Sequence, residues 1–331
     1  MTNMKRLTLI TMLVTTSLFL TPIAFGKPPG ACSSTADTLE KSCRSEVAAD
    51  YQKSIAVCTN SANNRDCILA ARATRDETLE ECDAVSDARE DVCGALGEAK
   101  YQPRFGPEFA TEFVNPRDIG TRVAPNPFHS LVVGARHVYE KAFVDEEGQA
   151  QIERVVVTVT NRTKLIDGIN CRVVRDVVSV DDKVVEDTED WFAQDVYGNV
   201  WYCGELSQDF EEFEGDRPEL VELVSLHGSF KAGRDGAKAG IIMLAQPQVG
   251  MTYREEASWN EAEDLSEVLS LTASESVPAA RCSGNCLKLR AFTPVEPGKN
   301  EFKYYVPGIG EILSVNERTG SRAQLVEFTI P

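Results

Sequence analysis

CSSTADTLEKSCRSEVAADYQKSIAVCTNSANNRDCILAARATRDETLEECDAVSDAREDVC, residues 32–93, carries six cysteines at 32, 43, 58, 67, 82 and 93. The intervening gaps are 10, 14, 8, 14 and 10 residues, a palindrome. Pairing outside to inside gives Cys32–Cys93, Cys43–Cys82 and Cys58–Cys67, the register of two antiparallel helices folded about Ala62 and Asn63. At about 100° per residue, eleven residues overshoot three turns by about 20° and fifteen overshoot four by about 60°. All three cysteines of each segment therefore share one helical face. Disulfides demand Cα atoms closer than ordinary helix packing allows, and the neighbours Ala48, Ala49, Ala56, Ala70, Ala71, Ala73, Ala84 and Ala88 are small enough to permit it. Asn63 or Asn64 suits the cap of the second helix. Large apolar residues are sparse, so cross-links must substitute for a core. A zinc reading has little support, because no CxxC occurs and no histidine lies in the hairpin.

Residues 1–26 read as a secretory signal. Lys5 and Arg6 precede an apolar run from Leu7 to Leu20, and Ala24-Phe25-Gly26 suits cleavage after Gly26. The expected location is periplasmic or secreted, with no membrane span once the signal is removed. Net charge is −18, and loss of Lys5 and Arg6 makes it −20. Such an acidic chain argues against nucleic acid and anionic membranes, and favours cationic partners, divalent ions or simple solubility.

Residues 27–100 form the expected stapled hairpin. Residues 101–127 hold five of the fifteen prolines and read as an extended strap, with Phe105, Phe109 and Phe113 recurring every four residues. From 128 to 331 the pattern alternates as strands do. Strands are expected at 152–160, 171–180, 191–195, 200–205, 287–292, 302–305, 311–315 and 324–329, with Val196-Tyr197-Gly198-Asn199 as a hairpin loop. Gly228 to Gly250 should be mostly loop. The fold class is α+β: a disulfide-stapled antiparallel helical hairpin followed by an antiparallel β meander, barrel-like or a curved sheet.

Trp191, Gln194, Asp195, Asn199, Trp201 and Tyr202 gather aromatic faces and polar tips on one hairpin, with Asp235 in the glycine-rich stretch nearby. Stacking surface with hydrogen-bonding tips suits a small polar ligand. The plainer alternative is that the aromatics fill a core while Asp195 and Asn199 build the turn. No catalytic set is evident, since GxSxG is absent and the three histidines lack partner motifs. Asp190 and Asp195, the one acidic pair considered for hydrolysis, stand five apart and would point to opposite faces of a strand. No metal site or cofactor is expected. Calcium is the ion that the acidic run from Glu205 to Glu219 could hold, but EF-hand spacing is absent and a solvated face explains it as well.

Asn126-Pro127-Phe128, Gly168 to Asp176, Asp190-Trp191-Phe192-Ala193-Gln194-Asp195, Gly198-Asn199-Val200-Trp201-Tyr202, Asp235-Gly236-Ala237 and Tyr304 to Gly310 resemble a widespread uncharacterised domain of exported bacterial proteins, over about residues 126–315. The meander is also loosely similar to LolA/LolB-like curved sheets. Neither resemblance supplies a function. The residues allow three pairings of Cys171, Cys203, Cys282 and Cys286. The resemblance, which associates aromatic residues with positions 203 and 282, implies Cys203–Cys282 and hence Cys171–Cys286. A redox role for Cys282-x-x-x-Cys286 is the sharper alternative. The leading functional expectation is an exported non-catalytic binding module holding a small or apolar ligand. A protein partner docked on the hairpin is second, and an uncharacterised hydrolase third.

Overall fold

The computed structural model describes residues 30–145, 148–213 and 215–331; the signal segment lies outside them. Helices α1 (Ala31–Thr59) and α2 (Asn64–Leu96) form the stapled hairpin. Its bridges are Cys32–Cys93, Cys43–Cys82 and Cys58–Cys67, with Cα atoms 5.6, 5.9 and 5.4 Å apart. Ala36, Val47 and Val92 are its few buried aliphatics. Asn63 occupies the N-cap position, but its side chain bonds Asp66 instead of the helix backbone, and Asn64 Nδ2 donates to Cys58 O across the turn. At the other end, the Arg89 guanidinium grips Glu263 of the β region through contacts of 2.6 and 3.2 Å and donates to Asn260 Oδ1. Glu263 is fully buried and Arg89 nearly so.

The rest is one antiparallel sheet. Its long strands come first: β1 (Arg136–Val144), β2 (Ala150–Ile166), β3 (Ile169–Val180), β4 (Lys183–Gln194) and β5 (Val200–Leu206). Shorter pieces follow: β6 (Asp209–Glu212), β7 (Val221–Ser225), β8 (Phe230–Lys231), β9 (Lys238–Met243), β10 (Thr252–Arg254) and β11 (Glu256–Ala257). The last five are β12 (Leu265–Ser276), β13 (Arg281–Phe292), β14 (Asn300–Val306), β15 (Gly310–Asn316) and β16 (Arg322–Thr329). Ladder order runs β10-β12-β13-β14-β15-β16-β1-β2-β3-β4-β5-β9-β11. The two end strands are successive pieces of one segment. Thr252–Arg254 pairs with β12, and Glu256–Ala257 pairs with β9, so the sheet curls into a nearly closed barrel. The glycine-rich stretch expected to be loop thus contains β9, a closing strand. Glycine serves close approach there: a Cβ on Gly240 would stand 2.4 Å from Arg254 O and 2.5 Å from Glu255 O.

Residues 101–135 wrap this barrel outside and in. Phe105 and Phe113 meet edge-on at 5.4 Å, and both pack on Trp201 on the outer face of β3–β5. Val114 N and Val196 N bond Gln194 O and Glu112 O, tying the strap to the hairpin. Further on, Ile119, Leu131 and Ala135 join Val159, Val174, Phe192 and Leu289 in an apolar cluster on the other face.

The two remaining bridges correct the expected pairing. Cys171 bonds Cys203, and Cys282 bonds Cys286. Cys171 and Cys203 belong to the outer cluster with Ala193, whereas Cys282 and Cys286 sit in a separate cluster with Ile312, Leu313 and Leu325. The first bridge spans β4, whose Ala193 is small; its Cα atoms are 6.7 Å apart, under the roughly 9.5 Å of two flat strand spacings. A register shift between Trp191 and Phe192 leaves Cys203 in a bulge of β5 at this point. At the second, Glu275 pairs Cys282 and Ala273 pairs Cys286, so β13 buckles outward between its cysteines at Gly284, where φ is 71°.

Unreduced digestion followed by mass spectrometry should yield linked peptides 171–203 and 282–286 beside the three hairpin pairs; a 203–282 peptide would refute this register. Gly240→Ala should destabilise the barrel by about 1–3 kcal/mol through overpacking against backbone, read as a lower denaturant midpoint with unchanged slope. A neutral effect would mean that the segment 252–257 does not close on β9.

Candidate functional site

Strand alternation sorts the hairpin residues expected to share a site. Phe192, Gln194 and Tyr202 carry one parity and face inward; Trp191, Ala193 and Trp201 face outward into the cluster under Phe105 and Phe113. Trp191 is thereby clamped outside, with the Lys164 ammonium 3.6 Å from its ring centroid. Asp195 organises the turn: it accepts from Tyr197 N, Asn199 N, Asn199 Nδ2 and Trp201 Nε1, each at 2.9 Å. Asn199 Oδ1 in turn accepts from Ala245 N. Gln194 is buried and spends its amide on the strap, its Oε1 accepting from Asn126 N and its Nε2 donating to Ala124 O. Asp235 is exposed in a turn with φ of 51°. Of the expected residues, Tyr202 lines the interior cavity.

That cavity measures about 930 Å³. Val155, Val157, Val159, Val174, Phe192 and Ile242 provide aliphatic and aromatic wall, continuous with the apolar cluster at one end. Phe192 lies against Tyr202 at 4.8 Å and 24°, and His129 meets Phe192 edge-on at 4.8 Å. Much of the remaining wall is acidic: Asp176, Asp190, Glu205, Glu255, Glu256, Asp264, Glu301 and Glu311 line it, with Lys299 and Lys303 among them. Asp190 belongs to the same strand face as Phe192, and its Oδ1 accepts from Tyr202 Oη at 2.6 Å. Glu205 is its cross-strand partner. Asp190 and Asp195, expected on opposite faces, do lie apart: the first lines the cavity and the second builds the outer turn. Glu255 and Glu256 are consecutive yet both line the cavity, because the chain changes partners between them. Glu255 is held by Ser266 Oγ, and Glu256 Oε1 accepts from Asp264 N at 2.7 Å.

Crowding and burial move these acids away from their ordinary range. Burial, then Asp190 and Glu186, push the Asp176 carboxyl up to about 8. Burial raises Asp190 to about 6 against the Tyr202 hydrogen bond. Glu205 goes up to about 8 through burial and Asp190. Glu255 reaches about 7 through burial, opposed by Lys303. Burial alone would lower Lys303, but Glu311, Glu255 and Glu301 outweigh it and raise its pKa. Burial takes His129 down to about 4. No three His, Cys, Asp or Glu side chains among the described residues are grouped to hold a metal ion.

Read from sequence, Asp190 stands only as half of the Asp190–Asp195 pair and Glu205 only as part of an acidic run. That they share a cavity wall with Asp176 is not visible there, though a signal exists. Asp190 alternates with Phe192 and Gln194, and Asp176 with Val174, so one strand face carries both apolar and acidic residues.

No family model matches the chain, and no curated protein matches it. Among solved structures it is similar to a β-barrel-like protein of the domain of unknown function DUF1849 from Brucella abortus. The TM-score is 0.31 and identity 12%, over 60% of this chain and 98% of that one.

A carboxyl whose folded pKa is raised keeps a proton that the unfolded chain releases, so its contribution falls as pH rises from about 4 to the folded value. Asp176, Asp190, Glu205 and Glu255 all act this way up to pH about 8, and together they outweigh His129, which acts oppositely between about 6.5 and 4. The melting temperature should therefore be higher at pH 5 than at pH 8 by several degrees or more. Asp176→Asn should flatten that slope and stabilise the protein at pH 8. A melting temperature that rises between pH 5 and 8 would contradict the acidic interior.

Proposed function

We propose that the protein is a non-catalytic binding module that holds a small ligand inside the barrel. The observation that carries this reading is the interior cavity of about 930 Å³, within the range of ligand sites at roughly 300–1,000 Å³. An aromatic pair, Phe192 and Tyr202, stands on its wall beside polar groups that can orient a guest. Of the residues expected from the sequence, Tyr202 is the proposed ligand contact; Gln194, Asp195 and Asn199 hold the hairpin that presents it. Five disulfides among the described residues fit an oxidising, exported setting for such a module. No helix among the described residues is long and apolar enough to cross a membrane.

A second reading, docking of a protein partner on the helical hairpin, draws support from Val57 and Leu69. They are 69% and 53% exposed near the Cys58–Cys67 end, away from Arg89. There they offer apolar contact on a rigid support.

Native mass spectrometry of protein purified from its own compartment should show a discrete added mass that organic extraction removes. Val157→Trp, which puts an indole into the cavity beside Asp176, should abolish that mass while the far-ultraviolet spectrum is retained. A bare mass from native material, or an added mass that survives Val157→Trp, would overturn the cavity reading and leave hairpin docking as the alternative.

A further inference from the structure

We propose that the cavity takes an organic cation with an apolar body, whose ammonium end sits among Asp176, Asp190, Glu205, Glu255, Glu256 and Glu311. The inference rests on the binding-module reading and names its ligand class.

The argument begins with charge. These six acids share the cavity wall with Lys303. Acidic side chains are seldom withdrawn from water without a partner, because desolvation costs more than scattered hydrogen bonds return. Lys303 and Lys299 are the lysines on this wall, and Lys299 is already ion-paired with Glu296, so most of the belt, once ionised, has no counter-charge. A second, separate observation concerns Asp176. Its Oδ1 is shut off from solvent and has no hydrogen-bond partner, although the residue lines the cavity. An acceptor left in that state costs about 1–3 kcal/mol unless something donates to it. An ammonium group supplies donors and charge together.

The spread of the acids decides which cation. They come from β3, β4, β5, the β10–β11 junction and β15, and no three form a metal-holding group among the described residues. A single small ion cannot meet so dispersed a belt, whereas a body that fills the cavity can bring its charge to the wall. Beside the belt on the same wall, the valines of β2 and Phe192 offer apolar surface for that body. A carboxylate or phosphate headgroup would meet like charge at every turn.

The test compares three guests with one tail: decylammonium, decanol and decanoate, titrated below their aggregation limits by calorimetry at pH 9, where the carboxyls raised to about 6–8 are ionised and the ammonium keeps its proton. Decylammonium should bind one to one and about tenfold tighter than decanol, a difference of about 1.4 kcal/mol, with decanoate weakest. Asp176→Asn should erase much of the ammonium advantage while decanol affinity stays unchanged; the unpartnered Oδ1 makes this substitution mild for folding. Val157→Trp should weaken all three guests. Equal affinity for the three heads, or preference for decanoate, would overturn the cation assignment and leave the cavity reading intact. Absence of decylammonium binding, or its displacement by millimolar calcium, would also overturn the assignment. Decylammonium binding unaffected by Val157→Trp would place the guest elsewhere and remove both readings.

Discussion

The barrel depends on one six-residue segment, Thr252–Ala257, which hydrogen-bonds in both directions. Its first half completes the ladder to β12 and its second half the ladder to β9. A strand that changes partners must turn its peptide planes between the two ladders, and at that point side-chain alternation breaks. Glu255 and Glu256 stand at the break, and both line the interior. Closure and site chemistry therefore share an origin. The backbone crossing also dictates a glycine at 240, because Arg254 O and Glu255 O occupy the space that any side chain would need.

Acid in the interior carries a thermodynamic cost that the rest of the fold must offset. The stapled hairpin contributes little apolar burial of its own, and three bridges stand in for it. The barrel uses a different device, the apolar cluster of Ile119, Leu131, Val159, Val174 and Phe192 that fills one end. Ile119, Leu131 and Ala135, which enter from the strap side, complete that plug against residues of the strands. The outer cluster around Trp191 and Trp201 adds a second core on the opposite face, covered by Phe105 and Phe113. A sheet packed on both faces at this corner can tolerate carboxylates further along the same strands.

The hairpin was legible because helical geometry is a fixed angle, and three nested cysteine pairs with mirror spacing admit one register. Most strands were legible from alternation, including the Asp195–Asn199 turn. The site was not, for a physical reason: neighbours in a strand diverge, so Trp191 and Tyr202, close in sequence, end on opposite faces. Grouping residues by proximity follows helix logic and fails in a sheet. The four later cysteines were misassigned for a related reason. Their pairing depends on which strands lie two apart and where β13 buckles, neither of which any local pattern carries. Closure by the 252–257 segment was equally hidden, because its two partners lie on either side of it in the chain.

The hairpin and the cavity meet at one loop. Asn260, Glu261 and Ala262 line the cavity, and the loop is pinned by the Arg89 contacts to Asn260 and Glu263. Glu263 Oε1 also accepts from Asn260 N at 2.9 Å, so the carboxylate both receives the guanidinium and shapes the loop. Removing either partner of such a pair strands a buried charge, which costs far more than an exposed ion pair contributes. The helical hairpin is thus braced at its Arg89 end on a piece of the cavity wall. A load on the far Cys58–Cys67 end would be carried along a cross-linked lever to that loop. The two proposed readings, ligand holding and partner docking, would therefore act on one connected structure.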